Sequence, residues 1–278
     1  MRGNDFYDYK RFMENFNGNM PFEVLRKMPK KIPNTVSFNG CINVITNPYH
    51  FDKIYWEWLA DEPNVYLAIG CHPQDSMKMK EMDFVHLENS MEHPKVVALG
   101  EFGLDEKWAE RGILMDTQKD VFRSQVQMAL KVNKPMVLHL RGYGALDSAK
   151  YILEEENVPK NWPIHLHAFT YSIDICKEWA EEYTSMKFGL VSENFDPEIV
   201  KNMPLNRLLL ETDSPYFYPK ELGNKGISIP NYISFVAKEI AHYKGIETYD
   251  VLDANLDNVN ELYNIPSRNV IQKSEKSK

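Results

Sequence analysis

The chain has 278 residues, 43% of them hydrophobic and 26% charged, with a formal net charge of −8. A single α/β domain of about 250 residues fits that length, and the apolar share supplies an ordinary folded core. The acidic balance excludes a protein that coats nucleic acid through a broad basic surface, while leaving room for an enzyme that grips a few nucleotides through local arginine, lysine and metal charges.

Residues 1–40 come first and fit a regular pattern least. Residues 1–16 mix aromatic and charged side chains without an apolar run, Pro21–Met28 suggests a short helix, and Asn34–Phe38 is brief and follows Pro33. From Cys41 onward, short apolar runs alternate with helix-like stretches. The runs are Cys41–Thr46, Val65–Cys71, Val96–Gly100, Met136–Leu140, Ile164–Ala168, Lys187–Val191 and Leu208–Glu211. They are continuous rather than alternating, which suits parallel strands covered on both faces. Between them, helices are expected at Phe51–Ala60, Met82–Met91, Thr117–Val132, Ala145–Glu155, Ile173–Glu182 and Asp196–Asn202, followed by Tyr232–Tyr243 and Val251–Tyr263. The clearest is Thr117–Val132, whose Val121, Phe122, Gln125, Met128, Ala129 and Val132 share one helical face. Such alternation gives either an open doubly wound sheet or a closed barrel. A closed barrel needs eight strands; seven are legible, and the first would have to come from residues 1–40. The polar stretch 267–278 is expected to be disordered.

Three cysteines, Cys41, Cys71 and Cys176, are odd in number and lack CxxC spacing, so they read as reduced thiols. No run reaches the roughly 18 apolar residues of a membrane span, and the first turns of sequence hold no signal-peptide core. Cytoplasm or nucleus is the expected compartment, with no membrane and no protein partner implied.

In folds of this kind chemistry gathers at the C-terminal ends of the strands. Several runs end in metal-ligand types: Gly70-Cys71-His72-Pro73, Gly100-Glu101-Phe102-Gly103-Leu104-Asp105, His139-Leu140-Arg141, His165-Leu166-His167-Ala168, Ser192-Glu193 and Glu211-Thr212-Asp213-Ser214-Pro215. A lone histidine at a strand end is usually a hydrogen-bonded structural residue. Here His72, His139 and His167 fall on one rim with Glu101 and Asp213, as a divalent metal requires of ligands converging from different strands. His165, two residues before His167 on the same side of its strand, reads as a barrel-interior residue and stays outside the ligand set. Mixed nitrogen and oxygen donors suit Mg²⁺, Mn²⁺ or Zn²⁺ alike. Such a cofactor polarises a substrate oxygen and acidifies a water, and Asp213 is placed to accept the proton.

These motifs resemble those of the TatD family of metal-dependent deoxyribonucleases. Gly70–Pro73 is similar to the family's G-x-H-P, Gly100–Asp105 to G-E-x-G-L-D, Pro135–Arg141 to P-x-x-x-H-x-R, His167–Phe169 to H-x-F, and Leu210–Pro215 to L-E-T-D-x-P. Each is weak alone; five in order across about residues 40 to 265 are specific. The resemblance implies a TIM-type (β/α)₈ barrel over residues 1–266 and hydrolysis of phosphodiester bonds in DNA, in short or single-stranded segments. It implies Glu101, His139, His167 and Asp213 as metal ligands, Glu101 and Asp213 as the catalytic pair, and His72 and Arg141 as phosphate contacts, the guanidinium being suited to bidentate binding. Two features depart from the family. Ser228 stands before Pro230 where an asparagine is usual. More seriously, residues 1–40 hold no histidine, so the H-x-H pair of the family's first strand is absent; aligning Asp8 with the acidic residue beyond that pair puts Asn4 and Phe6 in its place. A degenerate or missing first strand is therefore expected, and with it open sheet edges and a low melting point.

Loss of two ligands makes a non-catalytic barrel, serving as a binding or scaffold protein, the chief rival reading. A small-molecule amidohydrolase ranks lower, since many carry a carboxylated lysine where this chain has Glu101. No GxGxxG or Walker sequence occurs, which disfavours nucleotide-cofactor enzymes.

Overall fold

The computed structural model describes residues 40–192, 195–223, 226 and 228–265. The expectations for the first strand, for Pro21–Met28 and Asn34–Phe38, for Asn4, Phe6 and Asp8, for Glu193 and for the 267–278 tail lie outside the described residues. Among these residues seven strands form one parallel sheet in chain order: β1 (Cys41–Ile45), β2 (Val65–Ile69), β3 (Val96–Asp105), β4 (Met136–Arg141), β5 (Ile164–Leu166), β6 (Lys187–Val191) and β7 (Leu208–Glu211). The helices are α1 (Glu57–Ala60), α2 (Glu81–Ser90), α3 (Glu106–Glu110), α4 (Met115–Val132), α5 (Tyr143–Glu155), α6 (Ile173–Glu182), α7 (Pro197–Asn202), α8 (Ile233–Lys244) and α9 (Thr248–Tyr263). Sequential parallel order with helical crossovers is the winding of a TIM-type α/β barrel, as the sequence led one to expect.

The two-residue period of the strands sorts their side chains onto two faces. One carries Leu67, Ile69, Leu99, Phe102, Leu138, Leu166, Phe188 and Leu190 into the large core shared with the helices. Burying each such leucine or phenylalanine contributes roughly 1.5–3 kcal/mol. The opposite face carries Ala68, Val97, Ala98, Val137 and Leu209 into a smaller core, closed by Leu262 and Tyr263 from the end of α9. The candidate site continues this inner face toward the C-terminal ends of the strands.

Helix α4 anchors two of those ends. Its buried stripe includes Gln118 and Gln125, seven residues apart and so on one face. Gln125 accepts a hydrogen bond from the Cys71 N–H at 2.7 Å, and Gln118 accepts one from the Asp105 N–H at 2.8 Å. Two glutamines thus fix the chain beside His72 and Asp105. The helix ends at Asn133, which adopts a left-handed φ of 53° before Lys134-Pro135.

Several expected elements change, and β2 stops at Ile69 rather than Cys71. The helix expected at Phe51–Ala60 is broken into 3₁₀ turns at Pro48–His50 and Lys53–Tyr55 and the short α1. The Asn47 and Asp52 side chains cap the Tyr49 and Ile54 N–H groups and restart the chain twice, a local competition that asparagine and aspartate commonly win. The run expected to stop at Gly100 continues as strand to Asp105, because β4 goes on pairing with it as far as Asp105↔Arg141. Conversely, the run expected to reach Ala168 stops at Leu166, and Ala168 turns away with φ 41°.

Candidate metal centre

The extension of β3 builds the site. Its register against β4 passes from Gly100↔Val137 to Phe102↔Leu138, leaving Glu101 as an extra residue in a bulge. A bulge re-aims a side chain within a ladder, and Glu101 joins Asp105 on the side of the sheet where His139 lies. The approach of β4 is so close that a Cβ on Gly103 would meet the His139 carbonyl oxygen at 1.8 Å, so only glycine fits between the two carboxylates.

His139 lies between those carboxylates, its Nδ1 2.5 Å from Glu101 Oε1 and its Nε2 3.1 Å from Asp105 Oδ2. Glu101 Oε1 also lies 3.9 Å from His72 Nε2 and 3.6 Å from His167 Nε2. Asp213, at a left-handed φ of 45° beyond β7, brings Oδ1 to 3.5 Å from His167 Nε2. The structure therefore gathers His72, Glu101, His139, His167 and Asp213 at one spot. Arg141 stands beside them but faces the backbone: its Nη1 donates to the carbonyls of Leu140 at 2.7 Å and His167 at 3.4 Å. Ser192 is turned to α8, donating to Glu239 at 2.9 Å.

Electrostatics separates the histidines. Burial, reinforced by His139, pushes the His72 imidazole down to about 3, so it is neutral near pH 7. Its Nδ1 accepts the Gln74 N–H at 3.1 Å, which leaves the proton on Nε2, the nitrogen facing the site. His72 is thereby a neutral donor. His167 goes the other way: burial opposes its charge, but Glu101, Glu211 and Asp213 outweigh burial and hold its pKa well above the usual value. Burial likewise opposes ionisation of Glu101 and Glu211, yet His167 heads the interactions that keep both well below the usual carboxylate range.

Three residues outside the expected set enter the site. Glu211 Oε1 lies 2.6 Å from His167 Nδ1, and its Oε2 accepts the Ala168 N–H at 2.7 Å. His165 Nε2 lies 3.0 Å from Glu211 Oε1, and Asp105 binds His139. Glu211 and Asp105 were legible in principle: each is an even number of residues from an expected ligand, and even spacing along a strand shares a face. Two groups among the described residues could hold a metal, His72–Glu101–His139 and His165–His167–Glu211. The donor chemistry fits a divalent cation, since four buried or half-buried carboxylates, Glu101, Asp105, Glu211 and Asp213, pair with imidazoles and, among the described residues, with no lysine or arginine. Uncompensated buried carboxylates are costly, and a cation offsets that cost.

Comparison with known proteins gives the family. The chain is 33% identical over 213 residues to the metal-dependent hydrolase YabD of Bacillus subtilis, covering 75% of this chain and 81% of that protein. It is 30% identical over 236 residues to the human 3'-5' RNA nuclease TATDN2, covering 82% of this chain but only 30% of that longer protein. The solved structure of the Escherichia coli TatD homologue YJJV superposes with a TM-score of 0.73 at 21% identity, over 89% of this chain and 95% of that one. The family profile described as TatD related DNase matches residues 24–264, and with that match across most of its length the chain belongs to the TatD-related DNase family of metal-dependent hydrolases.

Proposed function

We propose that this chain hydrolyses phosphodiester bonds in nucleic acid, with short or single-stranded DNA as substrate. The observation that carries the reading is the Glu101 carboxylate ringed by His72, His139 and His167, with Asp213 opposite His167. Glu101, His139, His167 and Asp213 would hold a divalent metal, Mg²⁺, Mn²⁺ or Zn²⁺, which supplies Lewis-acid polarisation and acidifies water. Asp213 is the general base, its carboxylate taking the proton of the attacking water. His72 donates its Nε2–H to a phosphate oxygen as a neutral group, which spares the site an added buried charge. Arg141, anchored to two strand-end carbonyls, adds positive charge at the rim, and phosphate is the anion that a guanidinium there would meet. The net charge of −8 confines attraction for nucleic acid to this neighbourhood.

The test is hydrolysis of labelled single-stranded DNA, with RNA of the same sequence alongside, in Mn²⁺, Mg²⁺ or Zn²⁺. Metal-dependent cleavage is expected, and Asp213→Asn is expected to lower it by at least about 10²-fold, as loss of a general base does. A folded chain that binds metal and nucleic acid but cleaves neither polymer would overturn hydrolysis and establish the non-catalytic reading. That rival is favoured by one observation, the absence of histidine from residues 1–40.

A further inference from the structure

Four side chains run in a line from helix α9 to the candidate centre. The Tyr263 hydroxyl lies 2.6 Å from His165 Nδ1. His165 Nε2 lies 3.0 Å from Glu211 Oε1, close but outside aligned hydrogen-bond geometry. Glu211 Oε1 is 2.6 Å from His167 Nδ1, and His167 Nε2 faces Glu101 and Asp213. Tyr263 and His165 are 5% and 6% exposed, so water does not compete for these contacts. The backbone makes room for them: a Cβ on Gly189 of β6 would meet Glu211 Oε2 at 2.0 Å and His165 Nε2 at 2.5 Å.

A hydroxyl that donates to His165 Nδ1 leaves the His165 proton on Nε2, the side of Glu211. Glu211 in turn accepts from His167 Nδ1–H. A histidine whose Nδ1 proton is committed offers its Nε2 lone pair, and the partner that commits it tunes the ligand. We infer that Tyr263 and His165 are positioning residues, fixing through Glu211 the ring orientation and Nδ1–H tautomer of His167 so that its Nε2 meets a divalent metal at Glu101. This rests on the metal-centre reading above. The alternative use of the same cluster, a second ion held by His165, His167 and Glu211, fits less well. Both oxygens of Glu211 already accept hydrogen bonds, from His167 Nδ1 and from the Ala168 N–H, whereas among the described residues Glu101 is engaged through Oε1 alone.

The test is Mn²⁺ binding to the full chain by calorimetry, with the tautomer of His167 read by ¹⁵N histidine NMR on the chain loaded with diamagnetic Zn²⁺. Tyr263→Phe and His165→Leu are each expected to weaken binding by about 10–100-fold and to scramble the His167 tautomer. His165→Gln, which can still accept from Tyr263 and donate to Glu211, is expected to restore much of the affinity. Tyr183→Phe is the control, since Tyr183 is a buried tyrosine whose hydroxyl has no hydrogen-bond partner among the described residues; its affinity should match the parent. A merely structural role would lower melting temperature in these variants and leave affinity and tautomer unchanged, which overturns the inference. So does a drop in the number of ions bound in His165→Leu, which would make His165 a ligand. Metal binding without cleavage by the parent chain would overturn the proposed hydrolysis alone, whereas failure of the parent to bind metal would overturn both.

Discussion

The two histidine groups of the site are built from different ranges of sequence. His139 is held by Glu101 and Asp105, 38 and 34 residues away and both on the adjacent strand β3. His167 is held by Glu211, 44 residues away, and His165 by Tyr263, 98 residues away. The first group is a property of one strand pair. The second exists only once β5, β7 and α9 have been brought together. One consequence is that damage to the end of α9 reaches the second group and spares the first.

The comparison is sharpened most by exchanging the supporting carboxylates. Glu211→Gln removes the charge that holds His167 and weakens acceptance of the Ala168 N–H, and should lower metal affinity by about 100-fold, the upper end for such supports. Asp105→Asn removes one of two carboxylates on His139 while Glu101 remains, and about 10-fold is expected. Calorimetry with Mn²⁺ checks both, and equal losses would remove the distinction between the groups. A smaller effect is expected from Gly189→Ala. Its Cβ collides with Glu211 and His165 in a place where neither can retreat, and overpacking of this kind costs about 1–3 kcal/mol. Thermal unfolding reads it, at about 2–4 °C per kcal/mol for a chain of this size. An unchanged melting temperature would mean that the β5–β7 cluster can relax.

The smallest effect is on pH dependence of the metal-free chain. His167 titrates above its ordinary 6.5, so its stabilisation is complete below pH 6.5 and is lost as pH rises through the folded value. Glu101 and Glu211 titrate below their ordinary 4.5, so theirs is complete above pH 4.5 and is lost as pH falls. Metal-free stability should therefore be greatest between these two values. His167→Gln should flatten the decline on the alkaline side, which melting curves across pH would show; an unaltered decline would place its origin elsewhere.

Much of the architecture was legible. The continuous apolar runs marked all seven strands, and β6 and β7 match their expected limits, because a strand buried on both faces needs apolar residues throughout. Five of the gathered site residues, His72, Glu101, His139, His167 and Asp213, were legible because ligand types recur at strand ends. The length of β3 was not: Glu101-Phe102-Gly103-Leu104-Asp105 carries a glycine and two acids, which read locally as a loop. Pairing with β4 overrides that preference, as tertiary context does for strands generally.

By itself, then, the amino-acid sequence determined the winding of the sheet and the residue types on its rim, since hydrophobic periodicity and strand-end chemistry are local. Only the tertiary structure decided which nitrogen of each imidazole faces the centre and which carboxylate holds it. His165 looked like an interior histidine and Tyr263 like the last apolar position of an amphipathic helix. Their hydrogen bond joins strand β5 to the C-terminal end of α9, and no spacing along the chain encodes it. Tautomer and orientation are set by distances of about 3 Å, and such distances are fixed only when the helix has docked against the inner face of the sheet.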